Sequence, residues 1–159
     1  MKKPKIFIAC DTTSLKKVKQ IINHSKTNKI KIGYKFGLEF MNSKKGRQFI
    51  STLKGKIIFV DLKLNDTVNT MLSTVKALKD LKINYLTVHI SSGFAALKAV
   101  KKVSGKTKIV GVTTLTSLND NDLKLVGYNK SVKHLVAHQA RLAKKASLDA
   151  LVCSPYEVR

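Results

Sequence analysis

Asp61, Lys63 and Asp66 stand within FVDLKLNDTVNT (59–70), directly after the apolar run Ile57, Ile58, Phe59 and Val60. An ionised group taken out of water without a partner loses several kcal/mol, so charges at the end of a buried strand either pair with one another or perform chemistry. In an extended strand, residues two apart share a face, which places Asp61 and Lys63 on one side. Lys31, read as the end of the neighbouring strand, points into the same mouth and completes a row of plus, minus, plus. A carboxylate held between lysines stays ionised, keeps both lysines protonated and presents one of them as a proton donor. An ion-pair network tying strand ends together is the other reading of the same residues, and both stand at this point.

Other chemistries have weaker signals. HLVAH (134–138) carries two histidines one helical turn apart, but Leu135 stands where a zinc protease needs Glu and no third ligand is suggested. It reads as an exposed helix edge. There is no GxGxxG or Walker loop, so neither a dinucleotide nor a nucleoside triphosphate is indicated as a substrate. Cys10 and Cys153 lie far apart, each at the end of an apolar run, and read as reduced core-side residues.

The elements that position the charges recur. Short β-branched runs appear at 5–10, 29–33, 56–62, 84–90, 107–113 and 149–154, apolar on consecutive positions as parallel strands buried on both faces are. Helical patterns fill the gaps. Ser14 caps one with Leu15, Val18, Ile21 and Ile22 inward, and Val68, Met71, Leu72, Val75 and Leu78 form the stripe of another that ends near Lys79. Ser131 caps a third, with Val132, Leu135, Val136 and Leu142 inward, while Gly55 and Gly105 mark helix ends. Asp11, Lys31, Asp61 with Lys63, His89, Thr116 and Ser154 then fall at or after the ends of successive strands. A doubly wound sheet gathers its chemistry at one crevice, whereas a barrel collects it from nearly every strand, so the pattern predicts an α/β fold of the (β/α)8 TIM-barrel type. Six of the eight βα units are accounted for, in a single domain spanning 1–159.

With 159 residues, 43% hydrophobic content, 8 Gly and only 2 Pro, the chain can bury one sizeable core. No run approaches the roughly 20 apolar residues of a spanning helix, and the basic start precedes too short an apolar run for a signal peptide, so a cytoplasmic protein is expected. The formal charge is +22. Lys16, Lys17 and Lys19, Lys44 and Lys45, Lys101 and Lys102, and Lys144 and Lys145 fall on separate helices with few aromatics interleaved, which reads as a solvated exterior rather than a nucleic-acid stripe.

Taken in order, IACD (8–11), IKIG (30–33), DLKLND (61–66) with Asn69 and Thr70, TVHISSG (87–93), VTTLTS (112–117) and LVCSPYE (151–157) resemble the orotidine 5′-phosphate decarboxylases. The Asp-x-Lys-x-x-Asp group alone is shared with related sugar-phosphate decarboxylases and synthases. The resemblance implies a dimeric (β/α)8 enzyme that forms UMP from orotidine 5′-phosphate in pyrimidine synthesis, with no metal or organic cofactor. It further implies that Asp11 and Lys31 hold the ribose hydroxyls, that Asp61 sits against the departing carboxylate, and that Lys63 protonates C6. Asp66 and Thr70 are then expected to reach the partner subunit's site, Thr116 to recognise the pyrimidine edge, and His89 to support the site.

Two departures accompany the resemblance. Thr67 and Val68 stand where the family has an aliphatic residue and then Pro or Gly. The chain also ends at Arg159, ahead of the seventh and eighth strands with their phosphate-binding loop and arginine, so a poorly active partial barrel is expected. The alternatives are a related Mg2+-dependent sugar-phosphate decarboxylase or synthase, and a non-catalytic basic interaction module.

Overall fold

A computed structural model describes residues 6–158. Six strands, β1 (Ile6–Ala9), β2 (Ile32–Gly37), β3 (Ile57–Leu64), β4 (Tyr85–His89), β5 (Lys108–Val112) and β6 (Ala150–Val152), follow one another in chain order within one sheet. Helices occupy every interval: α1 (Leu15–His24), α2 (Leu38–Met41), α3 (Gly46–Thr52), α4 (Val68–Ala77), α5 (Phe94–Val103), α6 (Asp120–Leu125) and α7 (Val132–Lys145). The chain divides into two compact units. The first runs to Leu62 and includes Ala77–Leu86, and the second comprises Lys63–Lys76 and the chain from Thr87 onward.

In the first unit β1 pairs with β2, and β2 with β3, both in parallel. Ile58, Phe59 and Val60 are buried, as expected for a strand covered on both faces. Phe7 of β1, Phe59 of β3 and Tyr85 of β4 pack their rings edge-on or tilted at 5.1–5.7 Å between centroids. Gly33 makes room for this cluster, because a Cβ there would collide with the Phe7 ring. Asn84 holds the start of β4 by returning both bonds to Ile58: its amide donates to the Ile58 carbonyl at 2.9 Å and its side-chain oxygen accepts the Ile58 amide at 2.8 Å. The link between β2 and β3 breaks into α2 and α3, and Gly46 opens α3 with its Cα against the Phe40 carbonyl, where a side chain has no room.

The second unit repeats the clamp. Asp149, ahead of β6, donates its amide to the Ile109 carbonyl and accepts the Ile109 amide on Oδ2, which also binds Lys101 at 2.6 Å. β5 and β6 are parallel. Asn84 and Asp149 thus perform one task at the same place in two βα units, with an amide oxygen and a carboxylate interchangeable as acceptors.

Most of the expected helices are found where the periodicity puts them. Ser14 accepts the Lys17 amide as an N-cap, Val18 and Ile22 are the buried face of α1, and Met71 and Val75 are that of α4. Gly55 and Gly105 take left-handed φ values of 71° and 57° just past α3 and α5. Ser131 occupies the N-cap position of α7, but its hydroxyl bonds His134 at 2.8 Å while Asp120 accepts the Val132 amide at 2.7 Å. His134 and His138 are exposed, and no helix among the described residues is long and apolar enough to cross a membrane.

One strand is displaced from its expected place. The second strand is not 29–33 but Ile32–Gly37, so Lys31 precedes it rather than ending it. The run KIKIGYKFG offers two overlapping apolar stretches, and burial selects the later one, in which Tyr34 and Phe36 enter the core.

Candidate active site

Parallel register decides which residues of the first unit meet. Ala9 pairs with Lys35 and Gly37 with Asp61, which brings the carboxyl ends of three strands to one level. Lys35 Nζ lies 3.2 Å from Asp61 Oδ2 and 3.6 Å from Asp11 Oδ1. One ammonium group is therefore shared by two carboxylates. The Asp61 side chain is 10% exposed, that of Lys35 25% and that of Asp11 55%, so the pair grades from a nearly dry end to a wet one. The Cys10 amide donates to the Lys35 carbonyl at 2.8 Å, fixing the backbone beneath both Asp11 and Lys35. Gly37 keeps the approach open, because a Cβ there would come to 3.2 Å from Asp11 Oδ1.

Lys31 has no place in this group. Counted back from Gly37, opposite Asp61, it lies six residues earlier, or roughly 20 Å along an extended chain. Lys35 stands in the position that the sequence reading assigned to Lys31. The sequence carries Lys35 in the same apolar run, but only the structure, in which α2 starts at Leu38, shows it to be the lysine near the carboxyl end of β2.

Cys10, next to Asp11, is buried, and its thiol is pushed up to about 11, first by burial, then by the Asp11 charge, with Lys35 opposing. A thiol so placed is neutral at pH 7 and is not a nucleophile. The Cys153 thiol is also raised, by burial and by Glu157.

In the second unit Lys63 is held in the left-handed region, with φ 49°, although it lies inside β3. Its amide donates to Thr87 Oγ1 at 2.8 Å, and Thr87 is fully buried on β4. The rule that side chains two apart share a face assumes extended backbone, so it does not govern the direction of Lys63. A lysine in this conformation costs about 1–2 kcal/mol relative to the ordinary region, and such strain persists where the surroundings over-determine it. Lys63→Gly is accordingly expected to unfold at higher urea concentration than Lys63→Ala, by about 1 kcal/mol, the reverse of the usual order in a strand. Equal or inverted midpoints would remove the strain argument.

Asp66, Thr67 and Thr70 are exposed at the start of α4. Asp66 Oδ1 accepts the Thr67 amide at 2.6 Å, and the Thr67 and Thr70 hydroxyls lie 3.1 Å apart. Thr116 is exposed in a turn after β5, whereas the two threonines before it are committed to structure: Thr113 donates to the Val152 carbonyl and Thr114 to Gln139 Oε1. His89 ends β4, and its carbonyl accepts the Ser92 hydroxyl at 2.6 Å. No group of three His, Cys, Asp or Glu suited to a metal ion occurs among the described residues.

Residues 4–159 match the family described as orotidine 5′-phosphate decarboxylase / HUMPS. The chain belongs to this family. It is 39% identical over 158 residues to an orotidine 5′-phosphate decarboxylase of Wolbachia sp. subsp. Brugia malayi, covering 97% of this chain and 69% of that one. Against the enzyme of that name from Sphingopyxis alaskensis it is 42% identical over 130 residues, covering 80% of this chain and 58% of the other. The crystal structure of orotidine 5′-phosphate decarboxylase from Lactobacillus acidophilus superposes with a TM-score of 0.83 at 30% identity, over 98% of this chain and 73% of that one. The fold is thus six βα units of the (β/α)8 barrel expected from the strand-end residues. Asp61, Lys63 and Asp66 of DLKLND stand in β3 and at the approach to α4.

Proposed function

We propose that this chain catalyses, as a member of this family, the decarboxylation of orotidine 5′-phosphate to UMP, with Lys35 in the role first expected of Lys31. The observation that carries the residue assignment is the Asp11–Lys35–Asp61 group, in which one ammonium is shared by two carboxylates. Asp61, nearly dry, faces the substrate carboxylate as a like charge but has no such conflict with neutral CO2. Lys63, two residues on, supplies the proton. The bond from C6 to the carboxylate breaks, the electron pair stays on C6, and the pair takes a proton from the Lys63 ammonium, which solvent then restores. A fixed cation stabilises the transition state more than the ground state, because negative charge at C6 develops only as CO2 leaves. Lys35 and Asp11 hold the ribose hydroxyls, and Thr116 reads the pyrimidine edge. No step calls for a metal.

The active form in this reading is a homodimer, in which Asp66 and Thr70, both exposed in the isolated chain, contribute to the site of a second copy. Incubation of the chain with orotidine 5′-phosphate in D2O is expected to yield UMP carrying deuterium at C6, at the same rate with and without EDTA. Turnover abolished by EDTA would favour the Mg2+-dependent relatives, and a chain that binds the nucleotide without ever releasing CO2 would favour the interaction module. Mixing inactive Lys63→Ala and Asp66→Ala chains should restore part of the activity, since hybrid dimers hold one intact site. Restoration that fails although the chains exchange would remove the shared-site claim.

A further inference from the structure

The first unit contains a cavity of about 950 Å³ at the amino ends of β2 and β3, the opposite end of these strands from Lys35 and Asp61. Lys31, displaced from its expected place, lines it, together with Lys26, Lys54, Lys56 and Lys82. Lys26, Lys54, Lys56 and Lys82 did not stand out in the sequence, because they lie in the turns before strands rather than in helical pairs. Asp80 is the one acid in the lining, and both of its oxygens are held by Arg47 Nη2 at 2.7 and 2.8 Å. Five lysines thus line one concavity, and none of the five is ion-paired among the described residues. Between them lie Ile30, Ile32, Leu53 and Ile57, half-buried aliphatics that form an apolar floor.

Clustered like charges repel one another, and a bound anion removes that repulsion. The volume is of the size of small-molecule sites, about 300–1,000 Å³, and far exceeds one phosphate. Lys82 adds a second observation, as it is held left-handed at φ 48° and ψ 40°, where glycine would be less strained. We propose that this cavity binds a nucleotide-sized polyphosphate anion, its phosphates on the lysine rim and its apolar body on the isoleucine and leucine floor. This site is independent of the decarboxylation reading, and its test needs no turnover.

Isothermal titration of the full chain with ATP is expected to show one saturable site, with inorganic tripolyphosphate binding more weakly at the same salt. Replacing Lys31 and Lys56 together by glutamine should weaken ATP by about five- to thirtyfold, as the loss of two solvent-exposed ion pairs predicts. The charge-matched pair Lys16→Gln and Lys19→Gln, on the exposed side of α1, should change it less than about twofold. Lys82→Gly should raise the melting temperature while weakening ATP, which separates binding from folding. Equal loss in the two paired variants, many weak sites instead of one, or tripolyphosphate binding as tightly as ATP would each overturn the proposal.

Discussion

Lys63→Ala is expected to lower the rate of UMP formation by about 10⁴-fold or more, with a much smaller change in KM. The variant loses two effects at once: a positioned proton donor, worth typically about 10²–10⁴-fold, and a fixed charge at the developing carbanion, worth about 10²–10³-fold. The two reside in one ammonium group, so they do not simply multiply. A small change in KM follows because the charge at C6 exists only in the transition state. Initial rates over a range of substrate concentrations check this, and near-native turnover would show that another group protonates C6. The hydrogen bond from the Lys63 amide to Thr87 Oγ1 is made by the backbone and is kept when the side chain is cut to alanine, so the loss is chemical and not a failure of folding.

The second large effect is expected at Lys35. Lys35→Ala leaves Asp61 buried without the ammonium 3.2 Å away, while the more exposed Asp11 recovers much of its hydration. Removing one member of a fully buried pair costs about 3–5 kcal/mol, and with Lys35 a quarter exposed the expected loss is about 2 kcal/mol. Activity should fall with it, by about a hundredfold. Adding Asp61→Asn should return most of the stability and none of the activity, because the amide needs no counter-charge but cannot act as a like charge toward the substrate carboxylate. Urea unfolding of the two single variants and the double variant measures the first half, and UMP formation the second. Lys31→Ala should not reproduce the loss of stability. If it does while Lys35→Ala is silent, the Asp11–Lys35–Asp61 group is not the charged centre of the fold.

Much of this molecule was legible from its residues, for identifiable reasons. Consecutive apolar β-branched runs marked six parallel strands because a strand covered on both faces has no polar side, and the helix stripes at Val18 and Ile22 or Met71 and Val75 followed from a period of 3.6. Asp61 was recognisable as a site candidate because a carboxylate at the end of IIFV has to have a use. Lys31 was misassigned for an equally physical reason. KIKIG and IGYKFG are both acceptable strands by composition, and only core packing of Tyr34 and Phe36, with Gly33 beneath Phe7, chooses between them. A shift of a few residues moves a lysine from one end of the sheet to the other.

The chemical inventory is therefore a property of the sequence: the motif DLKLND, the order of strand-end polar residues, the excess of lysine and the family itself. These depend on local composition and spacing, which the chain carries without folding. Which charges meet is decided only by tertiary structure. Strand register pairs Lys35 with Asp11 and Asp61, a buried threonine holds Lys63 in a conformation no periodicity predicts, and three turns from distant stretches set five lysines around one cavity. Electrostatic interaction falls off with distance through space, and distance through space is what a linear sequence leaves open until the core has packed.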